Sequence, residues 1–317
     1  MADYGLPVLY ALFLWWFSTG LIIYLDSLPR RTFRWSMLGA TGFLLAALYG
    51  LWAGSGDDSV GGAYLAFTCG LVVWGWHEMS FLMGFVTGSR STACPDGCRG
   101  WRHFVHAVEA LVYHELAIAA TALAVVALTW GADNQVGTWT FMVLWVMRIS
   151  AKLNVYLGVP NLTEEFLPEH LQYLKSFLTK KPMNVLFPVS VTLATIVTVQ
   201  VVQAAVALEA SPFDVAALTF IGTLLALAIL EHWFLVLPLP DAALWSWILG
   251  ARAEHAPQEA TGTVAPAPAF ATLAVPPAFP ERPSERRAHP HPHPVPTPRP
   301  SPSLPSTPPS AAPSTSY

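Results

Sequence analysis

The chain has 317 residues, of which 54% are hydrophobic and only 11% are charged. Because soluble domains carry about 25% charged residues, this composition indicates an integral membrane protein. The small, scattered net charge of −4 argues against a nucleic-acid partner, and three cysteines are too few for a disulfide scaffold.

Seven stretches are apolar over the length that a helix needs to cross a bilayer, about 20 residues. We therefore predict an all-α integral membrane protein whose residues 1–250 form a seven-helix transmembrane bundle. The predicted spans cover about 5–25, 35–53, 63–87, 104–130, 138–158, 184–208 and 213–238. The first run lacks a basic flank and a cleavage site, which predicts a retained span instead of a signal peptide.

The loops between the predicted spans alternate in charge. Three carry basic residues: Arg30, Arg31 and Arg34, then Arg90, Arg99 and Arg102, then Lys175, Lys180 and Lys181. The other three carry acidic residues and no Lys or Arg. The positive-inside rule then predicts a periplasmic amino terminus and a cytoplasmic carboxyl terminus.

The last basic loop contains leucines at helical spacing, which predicts an amphipathic helix at about 163–179. This helix would lie on the cytoplasmic membrane surface, or else pack on the loops of the bundle itself. Residues 251–317 are rich in proline and cannot bury a core, so we predict a disordered cytoplasmic tail there.

The predicted spans contain ionisable residues, which are expensive inside hydrocarbon and usually functional. At about 1.5 Å per helical residue, four spans place such groups in the cytoplasmic half of the membrane. They are His77, Glu78, His106, Glu109, His114, Glu115, Arg148, Lys152, Glu231 and His232. We predict that these side chains form one polar layer around a shared pocket.

The polar layer contains four carboxylates but only two cationic side chains, Arg148 and Lys152, which we predict to form structural ion pairs. Because unpaired buried charges are avoided, the surplus calls for protonation, charged histidine, or a bound cation or Mg-bearing pigment. All eight acid and imidazole groups are candidate metal ligands, and imidazole with carboxylate suits Fe, Mn or Zn. A purely structural role for each His-Glu pair is the alternative.

Cys94 and Cys98 form a C-x-x-x-C pair in the second basic loop. Zinc fingers and redox motifs usually use C-x-x-C and need further ligands. Pro95, Asp96 and Gly97 between them are typical of a turn. We therefore predict an ordinary turn in preference to a metal or redox centre.

Three motifs, WGWHEMSFLMGFVTG, KLNVYLGVPNLTEEFLPEHLQYLKSF and PMNVLFPVSV, resemble conserved blocks of the PuhE-type photosynthetic complex assembly proteins. These are membrane proteins of anoxygenic phototrophic bacteria, encoded near the reaction-centre H subunit. The resemblance covers roughly residues 1–250. It implies a bacterial inner or intracytoplasmic membrane, with reaction-centre or light-harvesting subunits as partners, and it assigns no catalytic residues.

The leading functional hypothesis is a membrane assembly factor for the photosynthetic complex, acting through the supply or handling of bacteriochlorophyll. His77, His114 and His232 are then the candidate axial ligands of the pigment magnesium. A second hypothesis is a membrane-embedded di-metal oxidoreductase or pigment-modifying enzyme, although the Glu-x-x-His repeat of ferritin-like sites is absent. A proton or solute transporter is the third.

Overall fold

The computed structural model describes residues 2–162, 167–207 and 209–237, and these contain α-helices and one 3-10 helix but no strand. The helices are α1 (Ala2–Ser27), α2 (Arg30–Ala53), α3 (Val60–Leu82), α4 (Gly100–Glu109), α5 (Val112–Leu128), α6 (Val136–Leu157), α7 (Leu186–Ala205) and α8 (Pro212–Phe234), with the 3-10 helix at Glu169–Phe177. The prediction of an all-α chain is confirmed. The predicted tail, 251–317, lies outside the described residues.

The number of membrane spans differs from the prediction. Among the described helices, α1, α2, α7 and α8 are long and apolar enough to cross a membrane, and α4 with α5 is a fifth candidate if the pair is one span. The prediction of seven spans is therefore wrong. Glycines, tryptophans, His77 and Glu78 lower the hydropathy of α3, and Arg148 and Lys152 lower that of α6.

The predicted span at 104–130 is broken into α4 and α5, whose axes differ by 59°. No Pro or Gly marks the break, which falls at Ala110 and Leu111. The backbone of the preceding loop packs there instead. Its Thr87 carbonyl accepts a hydrogen bond from His114 N–H at 2.8 Å, and Arg90 N–H donates to the Glu109 carbonyl at 3.3 Å.

Helix α3 lies at the centre of the bundle, with contacts to α1, α2, α5, α6 and α8. Its residues supply much of the core, and Phe67, fully buried, stacks on Phe220 of α8 with ring centroids 4.3 Å apart. Burying such a side chain contributes about 1.5–3 kcal/mol. A helix that carries His77 and Glu78 is thus enclosed by five neighbouring helices.

Small residues let α3 and α6 approach closely. A Cβ on Gly70 would lie 2.7 Å from the Gly137 carbonyl oxygen, and one on Gly137 would lie 2.7 Å from the Ala66 carbonyl oxygen. Contacts of this kind are typical of helix pairs in membranes. The close approach brings the basic residues of α6 next to the acidic residue of α3.

The amphipathic helix predicted at 163–179 is a 3-10 helix at Glu169–Phe177, and residues 163–166 lie outside the described residues. Leu171, Leu174 and Phe177 are buried and follow one another at intervals of three, which is the period of a 3-10 helix. They pack against Phe81 and Ala110. Of the two alternatives, this segment therefore packs on the protein itself.

The charged loops gather at opposite ends of the bundle. At the basic end, His170 packs against Gly84 and interacts electrostatically with Arg30. At the other end, a shallow pocket is lined by Asp58, Asp133, Asp214 and their neighbours. The charge asymmetry predicted from the loops is thus present in three dimensions, while the orientation relative to the cytoplasm stays a prediction.

Candidate functional site

A partly enclosed cavity of about 500 Å³ lies between α1, α3, α6 and α8. Its wall is mostly apolar and includes the rings of Trp15 and Trp74. At the basic end of the bundle the cavity is closed by residues that include Ala107 of α4, and Leu174 and Phe177 of the 3-10 helix. The volume falls in the range of about 300–1,000 Å³ that small-molecule sites occupy.

Five charged residues line this cavity: Asp26, Glu78, Arg148, Lys152 and Glu231. Arg148 Nη2 donates a hydrogen bond to Glu78 Oε2 at 2.9 Å. The Arg148 side chain is 45% exposed, and it belongs to the cavity wall. Three acids and two bases therefore give the cavity a negative balance when all are ionised.

A second ion pair lies one helical turn further along α6. Lys152 Nζ donates to Glu115 Oε1 of α5 at 2.6 Å, and Trp145 Nε1 donates to Glu115 Oε2 at 3.3 Å. Arg148 and Lys152 thus lie on one side of α6 and connect it to α3 and to α5. These two pairs, Glu78–Arg148 and Glu115–Lys152, are called the ion-pair ladder below.

His77 and His114 lie together, but they do not line the cavity. Each is 1% exposed, and their ring centroids are 6.5 Å apart. Aromatic rings surround them, with Phe141 near His77 and Phe81 near His114. Both ring nitrogens of His77, and Nδ1 of His114, lack a hydrogen-bond partner among the described residues.

His232 belongs to a separate polar network. The Ala228 carbonyl can only accept, so His232 Nδ1 carries the proton and donates at 2.8 Å. His232 Nε2 lies 2.9 Å from the Ser150 hydroxyl, which also contacts Ser190. Nδ1 is thus bonded within α8, and Nε2 joins α8 to Ser150 of α6, so neither nitrogen is open to a magnesium ion.

His106 and Glu109 lie apart from the rest of the predicted layer. Glu109 Oε2 accepts a hydrogen bond from Arg90 Nε at 3.0 Å, outside the cavity. His106 Nδ1 lies 3.5 Å and 3.4 Å from the sulfur atoms of Cys94 and Cys98. The sequence reasoning missed this grouping, although a histidine shortly after a cysteine pair was a usable signal.

The structure therefore divides the predicted layer into several sets. Glu78, Glu109 and Glu115 each hold a base, and Glu231 faces the cavity. Within the described ranges, the layer nowhere brings three acid or imidazole ligand atoms within 4.8 Å of one another. This geometry does not favour a di-metal centre.

Together, the fold and the site define a helical membrane protein with a charged internal cavity. The chain belongs to the family described as "Protein of unknown function (DUF3623)", which matches residues 1–256. A Rhodobacter capsulatus protein, described as an uncharacterized 30.4 kDa protein in the puhA 5' region, is 38% identical over 248 residues, or 77% of this chain and 90% of that protein. No solved structure matches the chain.

Proposed function

We propose that this protein is an assembly factor for the photosynthetic reaction-centre or light-harvesting complex of the bacterial inner or intracytoplasmic membrane. The position of the Rhodobacter relative in the puhA 5' region supports this. The resemblance to PuhE-type proteins, which are encoded near the reaction-centre H subunit, points to the same process. The long apolar helices fit a protein that meets its partners within the bilayer.

The cavity carries the proposal further, because it suits an amphipathic ligand. Apolar walls with tryptophan rings accept a flat macrocycle or an isoprenoid chain, and the charged groups accept the polar edge of the same molecule. We propose that the ligand is bacteriochlorophyll or a related pigment. The protein would then hold pigment during assembly of the complex.

The proposed contact to the pigment magnesium differs from the one the sequence suggested. His77, His114 and His232 do not line the cavity, whereas Glu231 does. Magnesium readily accepts oxygen ligands. The Glu231 carboxylate, directly or through a water, would therefore hold the pigment magnesium.

The test is to isolate the full chain from its native membrane under mild conditions, record its absorption spectrum, and identify extracted pigment by mass spectrometry. Gly75 lines the cavity, and a Cβ there has 3.7 Å to its nearest neighbour, Ile22. Gly75→Leu should therefore fill the cavity without breaking the fold. We expect it to lower pigment occupancy by about tenfold or more, a change of about 1.4 kcal/mol.

Gly39→Leu is the matched control, because a Cβ at Gly39 of α2 meets nothing within 4 Å. This variant should carry pigment like the unaltered protein and support normal amounts of assembled complex in cells. The proposal is wrong if the gently isolated protein carries no pigment, or if Gly75→Leu binds as much as Gly39→Leu.

A further inference from the structure

A second candidate site lies in the loop before α4, away from the ion-pair ladder. Pro95 to Cys98 form the predicted turn, in which Cys98 N–H donates to the Pro95 carbonyl at 3.0 Å. Gly97 has a φ of 76°, which favours glycine. The turn brings the two sulfur atoms together, and Cys94 and Cys98 are bonded as a disulfide.

Separate elements hold the three groups of this site in place. His106 comes from α4, and its Nδ1 is the ring nitrogen that faces both sulfurs. Cys94 is fixed by its backbone N–H, which donates to Ser176 Oγ of the 3-10 helix at 2.9 Å. All three side chains are half-buried, and their ligand atoms lie within 4.8 Å of one another.

We propose that Cys94, Cys98 and His106 bind a thiophilic divalent ion, zinc, when the cysteines are reduced. Zinc–sulfur bonds of about 2.3 Å and zinc–nitrogen bonds of about 2.0–2.1 Å place sulfur and nitrogen about 3.5 Å apart in a tetrahedron. The two Nδ1–sulfur distances, 3.5 Å and 3.4 Å, agree with this edge. Three protein ligands leave the fourth position to water.

The reduced state follows from the predicted location of this loop on the cytoplasmic side, where thiols are kept reduced. A dithiol reductant supplies two electrons and two protons, the Cys94–Cys98 bond breaks, and the reductant becomes the disulfide. Metal binding then releases the two thiol protons, because thiolate is the ligand form. The metal itself undergoes no redox change.

The position of the site indicates what the ion would do. Ala107 and Leu174 line the cavity; Ala107 follows His106 directly, and Cys94 packs against the same apolar cluster as Leu174. The ion would therefore fix α4 and the loop against the 3-10 helix that closes the cavity at its basic end. This inference does not depend on the identity of the cavity ligand.

The test is a cobalt titration of the full chain, because Co²⁺ occupies zinc sites and reports thiolate ligands by absorption. His289, His291 and His293 are replaced by Ala throughout, so that the tail cannot contribute. The protein is reduced with dithiothreitol and desalted under nitrogen. We expect about one equivalent of Co²⁺, with a sulfur-to-metal charge-transfer band that Zn²⁺ abolishes.

Cys94→Ser and Cys98→Ser should each weaken the band, and His106→Ala should lower affinity by at least about tenfold. His106→Cys should restore tight binding with a stronger band, which separates loss of a ligand from loss of folding. Cys69→Ser, at a buried cysteine of α3, is the matched control and should bind like the parent. Absence of stoichiometric binding, binding that Cys94→Ser leaves intact, or equal binding by the oxidised protein would each overturn the proposal.

Discussion

Removing the positive charge of Arg148 tests the ion-pair ladder most directly. An exposed ion pair contributes about 0–1 kcal/mol, whereas removing one partner of a buried pair costs about 3–5 kcal/mol. The Glu78 side chain is only 14% exposed, and its Oε1 has no hydrogen-bond partner among the described residues. The 45% exposure of Arg148 and the nearby Lys152 moderate the loss. We expect Arg148→Met to lower the free energy of unfolding by about 2–3 kcal/mol.

The assay is unfolding in mixed detergent micelles, followed by circular dichroism, for Arg148→Met, Glu78→Gln and the double variant. Neutralising both partners removes the stranded charge, so the double variant should lose about 1–2 kcal/mol less than the sum of the single losses. Arg102→Met, at an exposed position of α4, is the control and should change stability little. Additivity within about 0.5 kcal/mol would refute the direct coupling of Glu78 with Arg148.

Two further outcomes are expected. Gly70→Ala should push α3 away from α6 and lower the free energy of unfolding by about 1–3 kcal/mol in the same assay. Gly42→Ala is the control and should be nearly neutral, because a Cβ at Gly42 meets nothing within 4 Å. Burial, and secondarily Arg30, lowers the pKa of His170 below its usual 6.5. The folded state therefore favours the neutral imidazole, so the contribution of His170 to stability is complete above pH 6.5 and declines as the pH falls below that value. Hydrogen exchange in 169–177, corrected for intrinsic rates, should therefore accelerate on acidification, and His170→Gln should remove that dependence. An unchanged rate in the unaltered protein would contradict this.

Much of the helical architecture could be predicted because apolar runs of sufficient length leave few alternatives in a membrane protein. The span predicted at 35–53 corresponds to α2, and that predicted at 184–208 corresponds to α7. The break between α4 and α5 could not be predicted, because Thr87 and Arg90 of the preceding loop create it through tertiary contacts. The 3-10 helix also depends on tertiary contacts. Its period of three places Leu171, Leu174 and Phe177 against Phe81 and Ala110, which the sequence does not show to be neighbours.

The sequence predicted the depth of the ionisable side chains along their helices, but not which of them face the cavity. Counting residues along each helix placed His77, Glu78 and His114 at similar levels, and the structure has them near one another. Which of them faces the cavity depends on the rotation of each helix. Helices that are apolar on all sides carry little information about that rotation. The sequence therefore could not predict that the histidines lie outside the cavity wall.

The ion-pair ladder has a consequence for how the polypeptide enters the bilayer during its synthesis. Glu78 and Arg148 are 70 residues apart, so the acidic partner emerges from the ribosome long before its counter-ion. By composition alone, α3 and α6 fall short of autonomous spans. The Glu78–Arg148 ion pair, and with it this link between α3 and α6, can therefore form only after α6 has been synthesised.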